Sequence, residues 1–277
     1  MSIKGLFSRV KTIPHPDLTK ENWGEKQPLK KIKIGSIEFY LSQPMSSFLV
    51  YLLGVLVIAA GIRFFLIQDG QLSRYWFGIA FILWGVGALI AGISYQTFGY
   101  ELKAARKDVC VWTSWFEIIY LIIQQWSMNA MTIAVAYACT TGLLQDILIW
   151  YAIAITIIYP ILTLIGAFVP IKSLITFEWM VEISLPSFII FLVLNSVRYI
   201  HFGDTMDLVL LGSWILIYLS WWGYIKYWKS GLTEKLWKKG KGIWFSDNDV
   251  LHVILIIWAL YILFVMPEYI KDFQNLI

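Results

Sequence analysis

Glu178 and Glu182 stand one helical turn apart in an apolar run, so a helix there would aim both carboxylates the same way. Two carboxylates that close in a low dielectric share a proton or recruit a cation, the arrangement that proton and cation pathways use. A third acid, Glu117, belongs to the set Thr113, Glu117, Tyr120, Gln124 and Ser127, whose steps of three and four residues place them on one helix face. Ser94, Gln96 and Glu101 close one apolar run, and Asn248, Asp249 and His252 open another. Asp249 and His252, joined by Glu117 or Glu182, form a mixed carboxylate and imidazole donor set for Zn²⁺. Zinc so held would activate water against an amide or ester.

The elements that must position these residues are set by composition. The chain is 59% hydrophobic and 14% charged, with a mean hydropathy of +0.69, far from the roughly one-quarter charged residues of a globular domain. Seven apolar runs reach the roughly 18 residues that cross a hydrocarbon core as a helix: Pro44–Ile67, Tyr75–Tyr100, Cys110–Thr140, Ile147–Val169, Ile171–Ile200, Leu208–Tyr227 and Asp249–Met266. They are too long for barrel strands and lack the alternation of two, so helices remain. The expected fold class is all-α, a seven-transmembrane helix bundle in a cell membrane, after a basic tail over residues 1–43. That tail shows no cleavable signal, and the first helix is expected to direct its own insertion.

Most of the 22 basic residues fall in the tail and in the second, fourth and sixth connections, from Lys4 to Lys33, Lys103 to Lys107, Lys172, and Lys226 to Lys241. These segments alternate, so they share one side. The positive-inside rule makes that side cytoplasmic, with the N-terminus inside and the C-terminus outside. The net charge of +4 is therefore a topology signal that excludes a nucleic-acid partner and points to lipid headgroups. The stretch from Lys229 to Ser246 mixes lysines with Trp237 and Trp244 and reads as lying on that surface. Cys110 and Cys139, at opposite ends of one expected helix and about 40 Å apart, cannot bridge. Glycines at Gly54, Gly61, Gly78 and Gly85 suit close helix packing. Asp247 and Asn248 are the expected caps of the last helix.

With this orientation Ser94, Gln96, Glu101, Glu117, Glu178, Glu182, Asp249 and His252 all fall in the cytoplasmic half. The outer half holds little beyond Asn195 and Arg198, with His201 and Asp207 in a loop. A polar pocket toward the cytoplasm is the expected functional site, with Gln124 deeper and Asn248 at its rim.

Ser94 ending the second helix, Glu117 early in the third and His252 opening the seventh resemble the superfamily of alkaline ceramidases, adiponectin/progestin-type receptors and hemolysin III proteins. That resemblance implies a Zn²⁺ held by one histidine of helix 2 and a His-x-x-x-His pair of helix 7. Here Asn248 stands at the first position of the pair and Gln96 or Phe98 on helix 2, so a three-histidine site is excluded. A second resemblance, to heliorhodopsins, rests on Trp115-Phe-Glu117, similar to their counterion segment. No lysine lies between Asp249 and Met266, which excludes covalent retinal. The sequence thus leads to a pocket for a lipid or small amphiphile, with a degenerate metal-dependent lipid hydrolase within that reading. A proton- or cation-linked transporter using the glutamates, and a non-catalytic subunit of a homo-oligomer or membrane complex, are the alternatives.

Overall fold

The computed structural model describes residues 2–238 and 242–273. Among them seven helices are long and apolar enough to cross a membrane, and the chain is read as a multi-pass membrane protein. They are α3 (Pro44–Leu66), α4 (Leu72–Gly92), α5 (Trp115–Cys139), α6 (Gly142–Phe168), α7 (Phe177–Phe202), α8 (Thr205–Ser230) and α10 (Asp247–Phe264). Before them come α1 (Ile3–Ser8), α2 (Trp23–Lys26) and a hairpin of β1 (Leu29–Ile34) and β2 (Ile37–Ser42). The short α9 (Leu232–Leu236) precedes α10.

Helices α3, α4, α5, α7, α8 and α10 close a ring, and α6 stands outside against α5. Helix α5, packed against α4, α6 and α7, is the most buried span, with 72% of its apolar window inside the protein against 22% for α6 and α7. Close approach of α3 and α4 requires two of the predicted glycines. A Cβ on Gly85 would stand 2.5 Å from the carbonyl oxygen of Gly54, and one on Gly54 would stand 3.0 Å from that of Gly85. Without a hydrophobic drive between helices in lipid, such backbone contact is what holds two spans together.

The boundaries differ from the sequence reading where tertiary contacts intervene. Helix α5 starts at Trp115 rather than Cys110 because Cys110 to Trp112 pair with the N-terminal segment: His15 N donates to Cys110 O at 2.8 Å and Trp112 N to Ile13 O at 2.8 Å. Cys110 therefore lies outside the helix, and both cysteines are buried thiols. Helix α7 starts at Phe177, after a 3-10 turn over Lys172–Ile175, with Thr176 Oγ1 accepting from Trp179 N at 3.2 Å. The N-cap of α10 is Ser246, in place of Asp247 or Asn248, because Asp249 folds back on it in a capping box.

Residues 2–43 are a folded cover on one end of the bundle, its base, and not a tail. Val10 packs with Ile118, Ala167 and Ile175, and Trp23 with Ala104 and Cys110. Tyr40 N donates to Glu101 Oε1 at 2.9 Å, tying the hairpin to the chain beyond α4. Isolated apolar residues among lysines carry no periodicity, so this docking has no local signature. The surface-lying segment predicted after α8 is described through Lys238, where Trp237 Nε1 donates to Glu25 O at 2.8 Å. Lys239, Gly240 and Lys241 lie outside the described residues.

Candidate functional site

Helix α4 does not run regularly to its expected end. Two π-helical turns, Ile93–Thr97 and Glu101–Ala105, flank a bend at Phe98 and Gly99, and a Cβ on Gly99 would meet Ser94 O at 2.9 Å. The bend turns the chain back into the base and buries Lys103, a residue read from the sequence only as a topology charge. Its Nζ donates to Glu117 Oε1 at 2.8 Å. Ser94 Oγ donates to the same oxygen at 2.7 Å and shares a 2.7 Å hydrogen bond with Ser114 Oγ; Thr113 Oγ1 donates to Glu117 Oε2 at 2.8 Å. Both charges are more than nine-tenths buried, so each needs the other and the hydroxyls.

This cluster floors a polar chamber of about 260 Å³ at the base, into which His15, Gln96, Glu178, Asn248 and His252 also face. An apolar chamber of about 310 Å³ lies above it, lined among others by Leu53, Ala88, Gln124, Met128, Phe188 and Leu255. The two share Val50, Ala91, Tyr120, Phe177, Leu251 and His252, so a polar and an apolar chamber adjoin across those side chains. The apolar chamber reaches the bundle surface between neighbouring α7 and α8, where Leu185 and Tyr218 both line it and are 50% and 53% exposed. Leu185 is eight residues into α7 and Tyr218 twelve from the end of α8, about 12 and 18 Å along the two helix axes from their base ends.

Of the polar stripe predicted on α5, Thr113 falls before the helix, Glu117, Tyr120 and Gln124 line the chambers, and Ser127 donates to Ala80 O on α4 at 2.7 Å. Gln96, Asn248 and His252 are brought together. Two buried atoms in this lining have no partner: Gln96 Oε1, on a residue 3% exposed, and His252 Nδ1, on one 8% exposed. Ser94 stands behind the lining and acts through Glu117.

Two predicted site residues do not join them. On α7 the chamber face centres on Phe177, Val181, Ser184 and Phe188; at about 100° per residue Glu178 lies at its margin, about 90° away, and Glu182 about 130° away, exposed and outside both linings. Equal spacing thus does not bring both carboxylates to the site. Asp249 is likewise turned from the face carrying Asn248, Leu251 and His252, and its Oδ2 accepts from Ser246 N at 2.6 Å and Ser246 Oγ at 2.9 Å. It caps the helix through Oδ2, while its Oδ1 is buried without a partner, and Asp249 stands outside the chamber that His252 lines, so the predicted metal pair does not share one lining. Among the described residues no three His, Cys, Asp or Glu side chains are placed to hold a metal ion. Gln96 and Asn248 are amides, weak partners for zinc, and the chamber's His15 and His252 are not joined by a third donor of that kind, so the donor set does not fit one.

His15 was read only as part of the tail. Its Nδ1 accepts from the backbone N–H groups of Asp17 at 3.1 Å and Leu18 at 3.0 Å, its ring lies 5.4 Å from Trp112, and it lines the polar chamber. Burial, and then the Lys103 charge, push its pKa down to about 4, so it is neutral at pH 7.

The opposite half of the bundle holds more than the sequence suggested. Asp207 is fully buried in the first turn of α8: Asn195 Nδ2 donates to it at 2.7 Å and Arg198 Nε at 3.1 Å, while Arg198 NH1 reaches Cys139 O at 3.0 Å. Trp214 Nε1 completes the set on Asn195 Oδ1 at 2.8 Å. Among the described residues its carboxylate, amide and guanidinium are all hydrogen-bonded and neither of the two chambers reaches it, so it clasps α5, α7 and α8.

Comparison with protein-family models, characterised proteins and solved structures returns no match to this chain. What the site does must be argued from its own geometry.

Proposed function

We propose that the protein binds a single amphiphile, its head in the polar chamber and its alkyl chain in the apolar one, with access from the bilayer between α7 and α8. The observation that carries this reading is the pairing of chambers: a charged and hydrogen-bonding one adjoins an apolar one, with His252 and Tyr120 lining both. The apolar chamber, at about 310 Å³, reaches the size of a small-molecule site and the polar one, at about 260 Å³, falls just short of it. An opening between Leu185 and Tyr218, partway along two spans, suits a ligand delivered by lipid. By the distribution of lysine and arginine the polar chamber faces the cytoplasm.

The likeness of layout to the ceramidase and receptor superfamily is supported by the convergence of Gln96, Asn248 and His252 on one chamber, with Ser94 and Glu117 beside them. With amides at two of the three histidine positions, the reading is of binding without metal-dependent hydrolysis. A glutamate-lined transport path is less well supported, since Glu117 is held by three donors and Glu182 stands apart.

Lipid mass spectrometry of protein purified in a polymer-bounded native bilayer tests the reading. One single-chain species should be enriched over the surrounding lipid and should disappear in Ala88→Phe, which fills the apolar chamber. An unchanged lipid profile in that variant, at unchanged thermal stability, would sink it.

A further inference from the structure

Glu178 stands in the first turn of α7 and lines the polar chamber, yet among the described residues it has no ion-pair partner. The other carboxylate of the lining is already matched. Glu117 holds Lys103 at 2.8 Å, and the same ammonium lies 5.3 Å from the Tyr95 ring centroid. The imidazole of His15 adds no positive charge at pH 7, its proton held off by burial and by Lys103. Glu178 is therefore the lining charge left without a counterion. Rings of Tyr95, Tyr120, Phe177 and Tyr224 share that lining with it.

The unpartnered buried atoms are independent of that charge. Gln96 Oε1 and His252 Nδ1 both belong to side chains more than nine-tenths buried, and a buried polar atom left unpaired costs about 1–3 kcal/mol. A ligand carrying N–H donors would satisfy Gln96 Oε1 and, in the tautomer that holds its proton on Nε2, His252 Nδ1 as well. Among the described residues of the lining the one ammonium is Lys103, already paired with Glu117, and Lys172 is stacked on the Trp112 ring, so an anionic head would meet the Glu178 carboxylate without a free lining cation, while an ammonium head would gain an ion pair that an uncharged head would not. Aromatic faces beside a carboxylate are the surroundings in which an ammonium gains both cation–π and ionic attraction.

We infer that the head of the bound amphiphile is a protonated amine, recognised by Glu178, Gln96 and His252, so that the site takes alkylammonium ligands. This rests on the two-chamber binding reading. The amine lies toward the base with its chain pointing to Gln124 and Met128. Glu178, exposed at the margin of the chamber, is the first charge it meets.

The test is equilibrium binding of three radiolabelled amphiphiles with one chain length, dodecylamine, dodecyl phosphate and dodecyl maltoside, to the full chain in lipid nanodiscs, with empty nanodiscs subtracted. Dodecylamine should bind on the order of tenfold or more tighter than the other two. Glu178→Gln should remove that preference and leave dodecyl maltoside unchanged, whereas Glu178→Asp should keep it. Thermal unfolding of each variant reports on the fold, and the three-ligand ranking on the parent protein stands without either variant. Equal or tighter binding of dodecyl phosphate, or a Glu178→Gln loss shared equally by all three ligands, overturns the amine assignment while leaving the amphiphile reading intact. Saturable binding by none of the three overturns the amphiphile reading, and the amine assignment with it.

Discussion

Lys103 Nζ donates to Glu117 Oε1 at 2.8 Å across a connection of fourteen residues, and both side chains are at least nine-tenths buried. The pair closes the polar chamber and joins the π-helical extension of α4 to the first turn of α5. Its two members are not equivalent. Without Lys103 the carboxylate still accepts from Ser94 and Thr113, whereas without Glu117 the buried ammonium loses its counterion.

Replacing Glu117 by Leu should therefore destabilise the bundle by about 4 kcal/mol and Lys103→Met by about 2 kcal/mol, with the double variant costing less than the sum. Chemical denaturation in mixed micelles checks the ranking. A Lys103→Met loss equal to or greater than that of Glu117→Leu would show that the hydroxyls do not support the carboxylate.

Asp207 binds Arg198 and Asn195 with no exposure of its own side chain. Asp207→Ala strands a buried guanidinium and should cost about 3–5 kcal/mol, while amphiphile binding per folded molecule stays unchanged because neither of the two chambers touches the clasp. Thermal melting paired with the binding assay separates these readouts. A selective loss of binding at normal stability would contradict a purely structural clasp.

The N-terminal cover should loosen in acid. His15 has a folded pKa of about 4, below the usual 6.5, so the unfolded segment takes up a proton more readily than the docked one. Its contribution is complete above pH 6.5 and is lost as pH falls through about 4, where an Nδ1 that accepts two backbone N–H groups becomes a donor facing them. The facing charges are Lys103, Lys172, Asp17 and Glu117. Limited proteolysis between residues 2 and 28 should accelerate over that window in the parent protein and show a weaker pH dependence in His15→Asn. An identical profile in the two would remove His15 from the account.

Gly85→Leu should part α3 from α4, since even a Cβ there stands 2.5 Å from Gly54 O, backbone that cannot rotate away. A cost of about 3 kcal/mol is expected, against well under 1 kcal/mol for Gly24→Ala, which meets nothing within 4 Å. Comparable melting temperatures for the two variants would count against the close contact.

The spans, the inward stripe of Glu117, Tyr120 and Gln124, and the glycine seam of α3 and α4 were all legible before any fold was seen. Each depends on period and composition within one helix, and the lipid solvent makes those decisive. Lys103, His15 and Asp207 were misread as a loop charge, a tail residue and a loop acid because their burial depends on contacts with distant elements. Phase was the other missing quantity. The π turns after Gly92 break the 3.6-residue repeat that would have located Lys103, and a shift of α7 about its axis separates Glu178, at the chamber margin, from Glu182, which faces outward. Local spacing says which residues of a helix look the same way; only packing decides what they look at, because that direction is set by the neighbours' surfaces and not by the helix itself.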